Sequence, residues 1–185
     1  VKPKAPVQKE PEWDYELAKQ LIRGKKIVFC LPGRGVSYTY LKNFVQLCFD
    51  IVQAGGGIQI SQDYSSMVNF ARCKCLGANV LRGPDQLPWD GKLEYDWQLW
   101  IDSDIVFDTA KFYQLILNSI PEAAITREDV VQPVKDKEGN ELKDKDGKVI
   151  TQVVGQNITV DQKKVRPIVS GWYCTEDGRT TSVAH

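Results

Sequence analysis

The sequence predicts an α/β domain with a mostly parallel central sheet, flanking helices and a charged β-hairpin insertion. Through the first half of the chain, short apolar runs alternate with amphipathic segments, which is the pattern of strands connected by helices. The strand-like runs are apolar without alternation, as expected for parallel strands buried on both faces. A later segment is dominated by charged and turn-forming residues, which favours an exposed hairpin.

The elements follow in order from the positions of apolar and turn-forming residues. Runs rich in β-forming residues predict strands, regular three-to-four spacing predicts helices, and glycine or proline ends each element. In chain order we predict a disordered lead over 1–12, helices over 13–22, 38–53, 63–76 and 108–119, and strands over 26–31, 58–61, 97–107 and 123–127. A further hairpin is expected around Gly178 and the β-prone run that starts at Thr180.

Two of these helices carry an apolar stripe that predicts their buried faces. In the helix over 38–53 the stripe consists of Leu41, Phe44, Val45, Cys48 and Val52. In the helix over 63–76 it consists of Val68, Ala71 and Cys75 and continues to Ala78.

Composition excludes several classes of function. Lys+Arg and Asp+Glu both number 24, so no broad basic surface is expected for nucleic acid or an anionic membrane. No apolar run reaches the roughly 20 residues that span a bilayer, so we expect no membrane span. The five cysteines include Cys30 and Cys48 in apolar runs, which favours reduced thiols and a cytoplasmic location. A zinc site is not expected, because Cys73 and Cys75 are spaced C-x-C and His185 is the only histidine.

Residues 133–150 form the charged insertion. The letters KDKEG at 135–139 are nearly repeated as KDKDG at 143–147, and both units carry turn chemistry. We interpret this segment as a charged hairpin or flap within a single domain over 13–185. A solvated loop without chemistry stays open as an alternative. A calcium loop of the EF-hand type is excluded, because its ligand positions are missing.

The segment 100–107 (WIDSDIVF) is the most informative for function, because it places two carboxylates in the most apolar stretch of the chain. An ionised carboxylate is costly to bury unless something pairs with it. Alternate residues on a strand point the same way, so Asp102 and Asp104 could share a face and reach one cation at the end of the strand. Oxygen ligands of this kind suit Mn²⁺ or Mg²⁺ bridging to substrate phosphates. A strand end with two solvated carboxylates is the alternative.

These residues resemble the DxD motif of GT-A glycosyltransferases. The letters LPGRG at 31–35 resemble the P-x-R loop that borders the nucleotide in that family, and NFAR at 69–72 resembles the helix that passes the diphosphate. The resemblance implies a GT-A type fold and transfer of a sugar from a nucleotide-diphosphate sugar, with Mn²⁺ or Mg²⁺, to a carbohydrate or other hydroxyl acceptor. It implies donor-binding roles for Pro32, Arg34, Asp63, Asn69, Arg72, Asp102 and Ser103.

The resemblance also implies distinct tasks for individual residues of the site. Asp104 would be the direct metal ligand, and Asp102 would contact the ribose or bind the metal through water. Arg72 would approach the diphosphate, where a guanidinium can make a forked contact, while Arg34 and Asp63 would lie near the nucleoside. For both arginines, an ordinary surface position stays open as an alternative.

The remaining site residues come from the end of the chain and one loop. The resemblance implies His185 as a further metal ligand, with a solvated terminal side chain as the alternative. Trp89, Trp172 and Tyr173 would form an acceptor-binding surface of aromatic faces, or ordinary aromatic core. An inverting enzyme needs a carboxylate base, for which Glu176 and Asp177 are the candidates.

Two other functions remain open on the sequence. A nucleotidyltransferase can share this α/β layout and its metal-binding carboxylates, although the segment 32–35 only faintly matches the Gly-rich signature of that class. A non-catalytic module that binds sugar or nucleotide could be built on the same fold. The intact pair Asp102 and Asp104 favours the enzyme.

Overall fold

A computed structural model describes residues 13–83, 85–166, 172–174 and 180–182. The elements in chain order are α1 (Tyr15–Ile22), β1 (Lys26–Pro32), α2 (Tyr38–Gln53), β2 (Gly57–Asp63), α3 (Val68–Cys75), β3 (Trp97–Trp100), α4 (Thr109–Ser119), β4 (Ile125–Pro133), β5 (Thr151–Val160), β6 (Trp172–Cys174) and β7 (Thr180–Ser182). They form two compact units, one with the described residues up to 117 together with β6 and β7, the other with those from 118 to 166. The prediction of one domain over 13–185 stays a prediction, and the expected disordered lead over 1–12 lies outside the described residues.

The first unit is built on a three-stranded parallel sheet of order β2-β1-β3. Its central strand pairs with β2 from Lys26↔Gly57 to Pro32↔Asp63. On the other side it pairs with β3 from Ile27↔Trp97 to Cys30↔Trp100. Residues 27–30 are almost completely buried, as expected for a strand with neighbours on both sides and cover on both faces. The predicted mixed α/β class with a parallel sheet and flanking helices is confirmed.

Helix α2 has the predicted bounds but buries a different face. Its first turn is capped by Ser37, whose hydroxyl accepts from the N–H of Tyr40 at 3.1 Å. The buried residues are Tyr40, Phe44, Leu47 and Ile51, and of the predicted stripe Leu41, Val45 and Val52 are exposed. Phe44 packs edge-on against Phe29 of β1, with ring centroids 5.2 Å apart. Phe44 is buried as predicted and Cys48 is half-buried, but the prediction was wrong for the other three residues, because α2 has two apolar stripes and periodicity alone does not say which one faces the sheet.

Helix α3 is shorter than predicted. The segment 63–67 is not helical: Asp63 is the last residue of β2, where it pairs with Pro32. Ala71 and Cys75 are buried as predicted, whereas Val68 is exposed at the first turn. In the same way, Asp108 does not begin α4 but precedes it, where its carboxylate accepts from the N–H of Lys111 at 2.8 Å.

The second unit is dominated by an antiparallel hairpin of β4 and β5. The ladder runs from Ile125↔Val160 to Pro133↔Thr151, with an irregularity at Val154, which has no partner between Val130 and Val131. The predicted charged segment 133–150 forms the connection between these two strands.

That connection consists of two similar units, 134–141 and 142–149. Their first residues and Ile150 form a closed set of backbone hydrogen bonds: Leu142 N–H to Val134 C=O, Ile150 N–H to Leu142 C=O, and Val134 N–H to Ile150 C=O, each at 2.8 Å. In each unit an aspartate, Asp136 or Asp144, accepts two backbone N–H groups of its own turn at 2.9 Å. The repeated letters therefore encode a repeated turn.

Strands β6 and β7 pair as an antiparallel hairpin, from Trp172↔Ser182 to Cys174↔Thr180. This pairing agrees with the predicted hairpin, while its connection around Gly178 lies outside the described residues. None of the helices in the described part of the chain is long and apolar enough to cross a membrane.

Candidate functional site at the carboxyl edge of the sheet

The order of the strands indicates where a ligand would bind. From β1 the chain passes to β2 on one side of the sheet and from there to β3 on the other side. In open parallel sheets, ligands bind beyond the carboxyl ends of the strands at such a reversal. Three loops meet at this edge: 33–37 after β1, 64–67 after β2 and 101–108 after β3.

Gly33 brings the three loops together. Its N–H donates to the backbone carbonyl of Asp63 at 3.0 Å, which connects the ends of β1 and β2. Its φ is 151°, a conformation that favours glycine. A Cβ added here would lie 2.7 Å from the Oγ of Ser103, so only glycine allows the loop after β3 to come this close. The predicted donor-binding residue Ser103 is therefore packed against the turn that precedes Arg34.

Asp102 and Asp104 lie in a turn after β3 rather than inside a strand. The N–H of Ile105 donates to the carbonyl oxygen of Asp102 at 3.1 Å, which closes the turn. The strand predicted over 97–107 is therefore wrong beyond Trp100. The expectation that Asp102 and Asp104 share one face of a strand is wrong with it. The Asp102 side chain is 45% exposed and Asp104 is exposed, which agrees with the alternative of two solvated carboxylates after the strand.

The end of β1 explains why β3 stops. The N–H of Ile101 still donates to the carbonyl of Cys30 at 3.2 Å. In a parallel ladder the next donor would be the N–H of Pro32, directed to the Ile101 carbonyl, but proline has no N–H. The hydroxyl of Tyr40 lies 3.5 Å from that carbonyl oxygen instead. The chain leaves the sheet at this point, and the two aspartates fall in the loop.

The negative charge of Asp102 influences its surroundings. Burial raises the pKa of Tyr40 to about 12, and the nearby carboxylate of Asp102 adds to that rise. Tyr40 therefore stays protonated even at alkaline pH, and its hydroxyl remains a donor to the Ile101 carbonyl. The start of the loop that carries the aspartates is thus contacted by the neutral side chain of Tyr40.

Arg72 lies beside Asp102 at the carboxyl edge of the sheet, and its predicted contact with a diphosphate stays a prediction. Its Nη2 is 3.3 Å from the Oδ2 of Asp102. Its guanidinium carbon is 5.9 Å from the centroid of the Trp100 ring, a cation–π contact that orients the side chain. Since the Arg72 side chain is 50% exposed, the guanidinium remains open to solvent and to a ligand.

A second pair of basic residues flanks the loop after β2. The guanidinium carbon of Arg34 lies 4.2 Å from the centroid of the Tyr64 ring. The Nζ of Lys74 is 3.7 Å from the Oδ1 of Asp63 and 3.3 Å from the carbonyl oxygen of Tyr64. Arg34 and Asp63 thus both border the loop after β2, and their predicted place near the nucleoside stays a prediction. Tyr64 and Lys74 were missed, although Tyr64 directly follows Asp63 and Lys74 is close to Arg72 on a short helix.

The other predicted residues do not join this group in the described contacts. Asn69 is exposed near the start of α3, and Pro32 is the buried last residue of β1. Trp89 packs edge-on against Tyr95 at 5.4 Å and lies against Gly77, in a left-handed conformation with φ 49°. Its role in acceptor binding stays a prediction, since its recorded contacts are with its own loop and the end of α3.

The residues predicted near the chain end fall outside this description. The backbone of Trp172 and Tyr173 lies in β6, and their predicted contacts with an acceptor stay predictions. The candidate bases Glu176 and Asp177 and the candidate metal ligand His185 lie outside the described residues.

The donor set is compatible with a hard divalent cation. Among the described residues there is no group of three or more His, Cys, Asp or Glu side chains arranged to hold a metal. Asp102 and Asp104 nevertheless supply two accessible carboxylates in one turn. Mg²⁺ and similar ions are usually held by one or two carboxylates, with water and substrate phosphate completing the shell. The pair fits that mode of binding and does not fit an all-protein cage.

The fold and the site together define an α/β protein with a polar, mixed-charge surface at the carboxyl edge of a parallel sheet. Comparison with protein-family models, curated proteins and solved structures finds no match to this chain.

Proposed function

We propose that this chain is a metal-dependent glycosyltransferase of GT-A type, which moves a sugar from a nucleotide-diphosphate sugar to a hydroxyl acceptor. The observation that carries the proposal is the contact of Arg72 with Asp102 at the point where the strand order reverses. A guanidinium beside a pair of exposed carboxylates suits a ligand that brings both phosphate and a cation. The layout of β1, β2 and β3 is consistent with this class of fold.

The charges of the site support a diphosphate ligand. In the free protein the charge of Arg72 is offset by Asp102, and that of Lys74 by Asp63. The side chains of both ion pairs are about half exposed, so each pair contributes little to stability. A ligand phosphate can therefore replace the carboxylate partner of either basic residue with little loss of stability. A diphosphate would take Arg72 as a forked, charge-assisted donor. Asp102 would then be free to act with Asp104 toward the cation.

Asp102 and Asp104 are the residues that would hold Mn²⁺ or Mg²⁺. When bound, such a cation supplies charge neutralisation on a departing diphosphate. The contribution of the chain is to keep the two carboxylates in one turn, fixed by the Ile105–Asp102 hydrogen bond and by the approach of Gly33 to Ser103. Arg34 and Tyr64 offer a guanidinium stacked on a ring at the edge of the site, which suits the flat face of a nucleoside.

Calorimetry tests the proposal. Nucleoside diphosphates and their sugar conjugates would be titrated into the protein with and without Mn²⁺. We expect binding that needs the metal and weakens about 10- to 100-fold in Arg72→Ala, which corresponds to the loss of one charge-assisted hydrogen bond. Arg72→Lys keeps the charge but not the fork and should fall between the two. Arg23→Ala is the matched control, since this exposed arginine follows α1 close to the opposite end of β1.

The results separate the alternatives. Transfer of the sugar in product assays identifies a glycosyltransferase, whereas release of pyrophosphate from a nucleoside triphosphate identifies a nucleotidyltransferase. Metal-dependent binding without turnover indicates a binding module. If Asp104→Asn binds nucleotide and metal as wild type does, the assignment of the site is wrong.

A further inference from the structure

The second unit presents two strand edges of very different character. In the described part of the chain, β4 and β5 pair only with each other, so each strand has one edge without a neighbour. An unpaired edge exposes a row of N–H and C=O groups that can accept another strand. Natural sheets protect such edges with charged residues, proline or irregular backbone.

Strand β4 carries that protection and β5 largely lacks it. The sequence of β4 contains Arg127, Glu128 and Asp129, and it ends at Pro133. The ten residues of β5 (TQVVGQNITV) include no charged residue and no proline, and six of them are β-branched. Its only irregularity is the bulge at Val154, which leaves the segments on either side free to pair.

Several apolar side chains of the hairpin are also exposed, and the side chains of a further strand would partly cover them. Val131 and Val153 face each other across the ladder and are 56% and 58% exposed, and the neighbouring Val154 is 47% exposed. A two-stranded hairpin is marginally stable alone, whereas added strands provide a wider apolar face. A new strand is more favourable beside β5 than beside β4, because β5 places no charged residue next to it.

We propose that the free edge of β5 pairs with β5 of a second copy of this chain, giving a four-stranded sheet of order β4-β5-β5-β4. In a two-fold antiparallel contact residue i of one strand faces residue j of the other and j faces i, so the charges of a strand must suit its own sequence in that register. A strand without charges meets this condition, and it also offers no charge pattern by which a different protein would be selected. Both properties favour self-pairing.

The contact involves one strand edge from each copy and is therefore at the small end of interface sizes. We expect an association that depends on concentration rather than a permanent dimer. The bulge at Val154 divides β5 into two regular segments, 151–153 and 155–160, and either segment could provide the pairing.

Sedimentation and light scattering over a range of concentrations test the proposal with two matched pairs of variants. Thr159 of β5 lies directly opposite Thr126 of β4, and Val153 lies opposite Val131. All four side chains are exposed, so lysine can be placed at each without burying its charge. Thr159→Lys or Val153→Lys should shift the equilibrium to the monomer, whereas Thr126→Lys and Val131→Lys should leave it as in wild type.

Hydrogen exchange gives a second measurement on the same proteins. Amides of β5 should gain protection as the wild-type protein is concentrated, and this gain should be lost in the β5 variant that dissociates. A wild-type protein that stays monomeric at every concentration would overturn the proposal, and so would a dimer that neither β5 lysine weakens. Protection of the β5 edge in a monomer would show that it is covered by another part of the same chain. Equal effects of the β4 and β5 lysines would place the contact elsewhere.

Discussion

Replacing Gly33 by alanine is the most direct test of how the site is assembled. Two independent costs are expected. The residue has φ 151°, and holding a side chain in a sparsely populated backbone region costs about 1–3 kcal/mol. The new Cβ would also lie 2.7 Å from the Oγ and 2.8 Å from the Cβ of Ser103, and overpacking of this kind costs about 1–3 kcal/mol.

The two costs together predict a loss of about 2–6 kcal/mol in the free energy of unfolding. At about 2–4 °C per kcal/mol for a chain of this size, the melting temperature should fall by ~4–24 °C. Gly35→Ala is the matched control. It lies two positions along the same loop, its φ lies outside the left-handed region, and an added Cβ meets nothing within 4 Å. This variant should melt close to wild type, or be stabilised by about 0.4–1 kcal/mol through the unfolded state.

Thermal and urea unfolding of both variants provide the measurement. Repeating Gly33→Ala in a Ser103→Gly background separates the two costs, because this background removes the steric contact and leaves the backbone strain. The interaction between the two positions should recover the overpacking part. If Gly33→Ala and Gly35→Ala melt alike, the loops after β1 and β3 are not in contact, and the description of the site is wrong.

Three further predictions test the rest of the first unit. Phe44→Ala should cost about 3–5 kcal/mol in unfolding experiments, whereas Phe49→Ala, at a 60% exposed position of the same helix, should cost less than about 0.5 kcal/mol; equal losses would reject the assigned buried face of α2. Burial alone would raise the pKa of Asp96, but hydrogen bonds from the backbone N–H of Lys26 and from the Lys25 side chain outweigh it and lower the pKa. The stability that Asp96 adds over Asp96→Asn should therefore be present above about pH 4 and disappear as the pH falls through the lowered pKa, and a difference that is constant with pH would contradict this. Burial, with a smaller contribution from the neighbouring Cys75, raises the pKa of Cys30 to about 12, so iodoacetamide at mildly alkaline pH should modify Cys30 only after unfolding, as mass spectrometry of labelled peptides can show.

The sequence predicted the parallel sheet because its strands are short, apolar and separated by amphipathic segments. Burial on both faces leaves that signal in 27–30 whatever the partners are. It could not predict the buried face of α2, since Leu41 and Val45 are as apolar as Leu47 and Ile51. The choice between the two stripes depends on how the helix crosses the sheet, which is a tertiary property.

The candidate site was predicted in part for similar reasons. The carboxyl ends of parallel strands meet at one edge, so the loops that follow the strands could be placed at the site from the strand pattern, whereas the roles of Asp63 and Arg72 came from the resemblance. The end of β3 was missed, because its apolar residues continue to Phe107 and the cause of its termination lies in another strand. Pro32 lacks the N–H that would donate to the Ile101 carbonyl, and this can be recognised only once the register of β1 and β3 is known.

The two turn units at the end of the β4–β5 hairpin make the length of this segment adjustable. Val134 and Leu142 occupy equivalent places, and Ile150 returns the chain to β5 in the same backbone hydrogen-bonding pattern. Since each unit begins and ends on this shared set of bonds, we expect a whole unit to be gained or lost with less change to the strands than a single residue would cause. Duplication of a short coding segment would thus lengthen the hairpin in discrete steps, and related chains would be expected to differ here by whole units rather than by single residues.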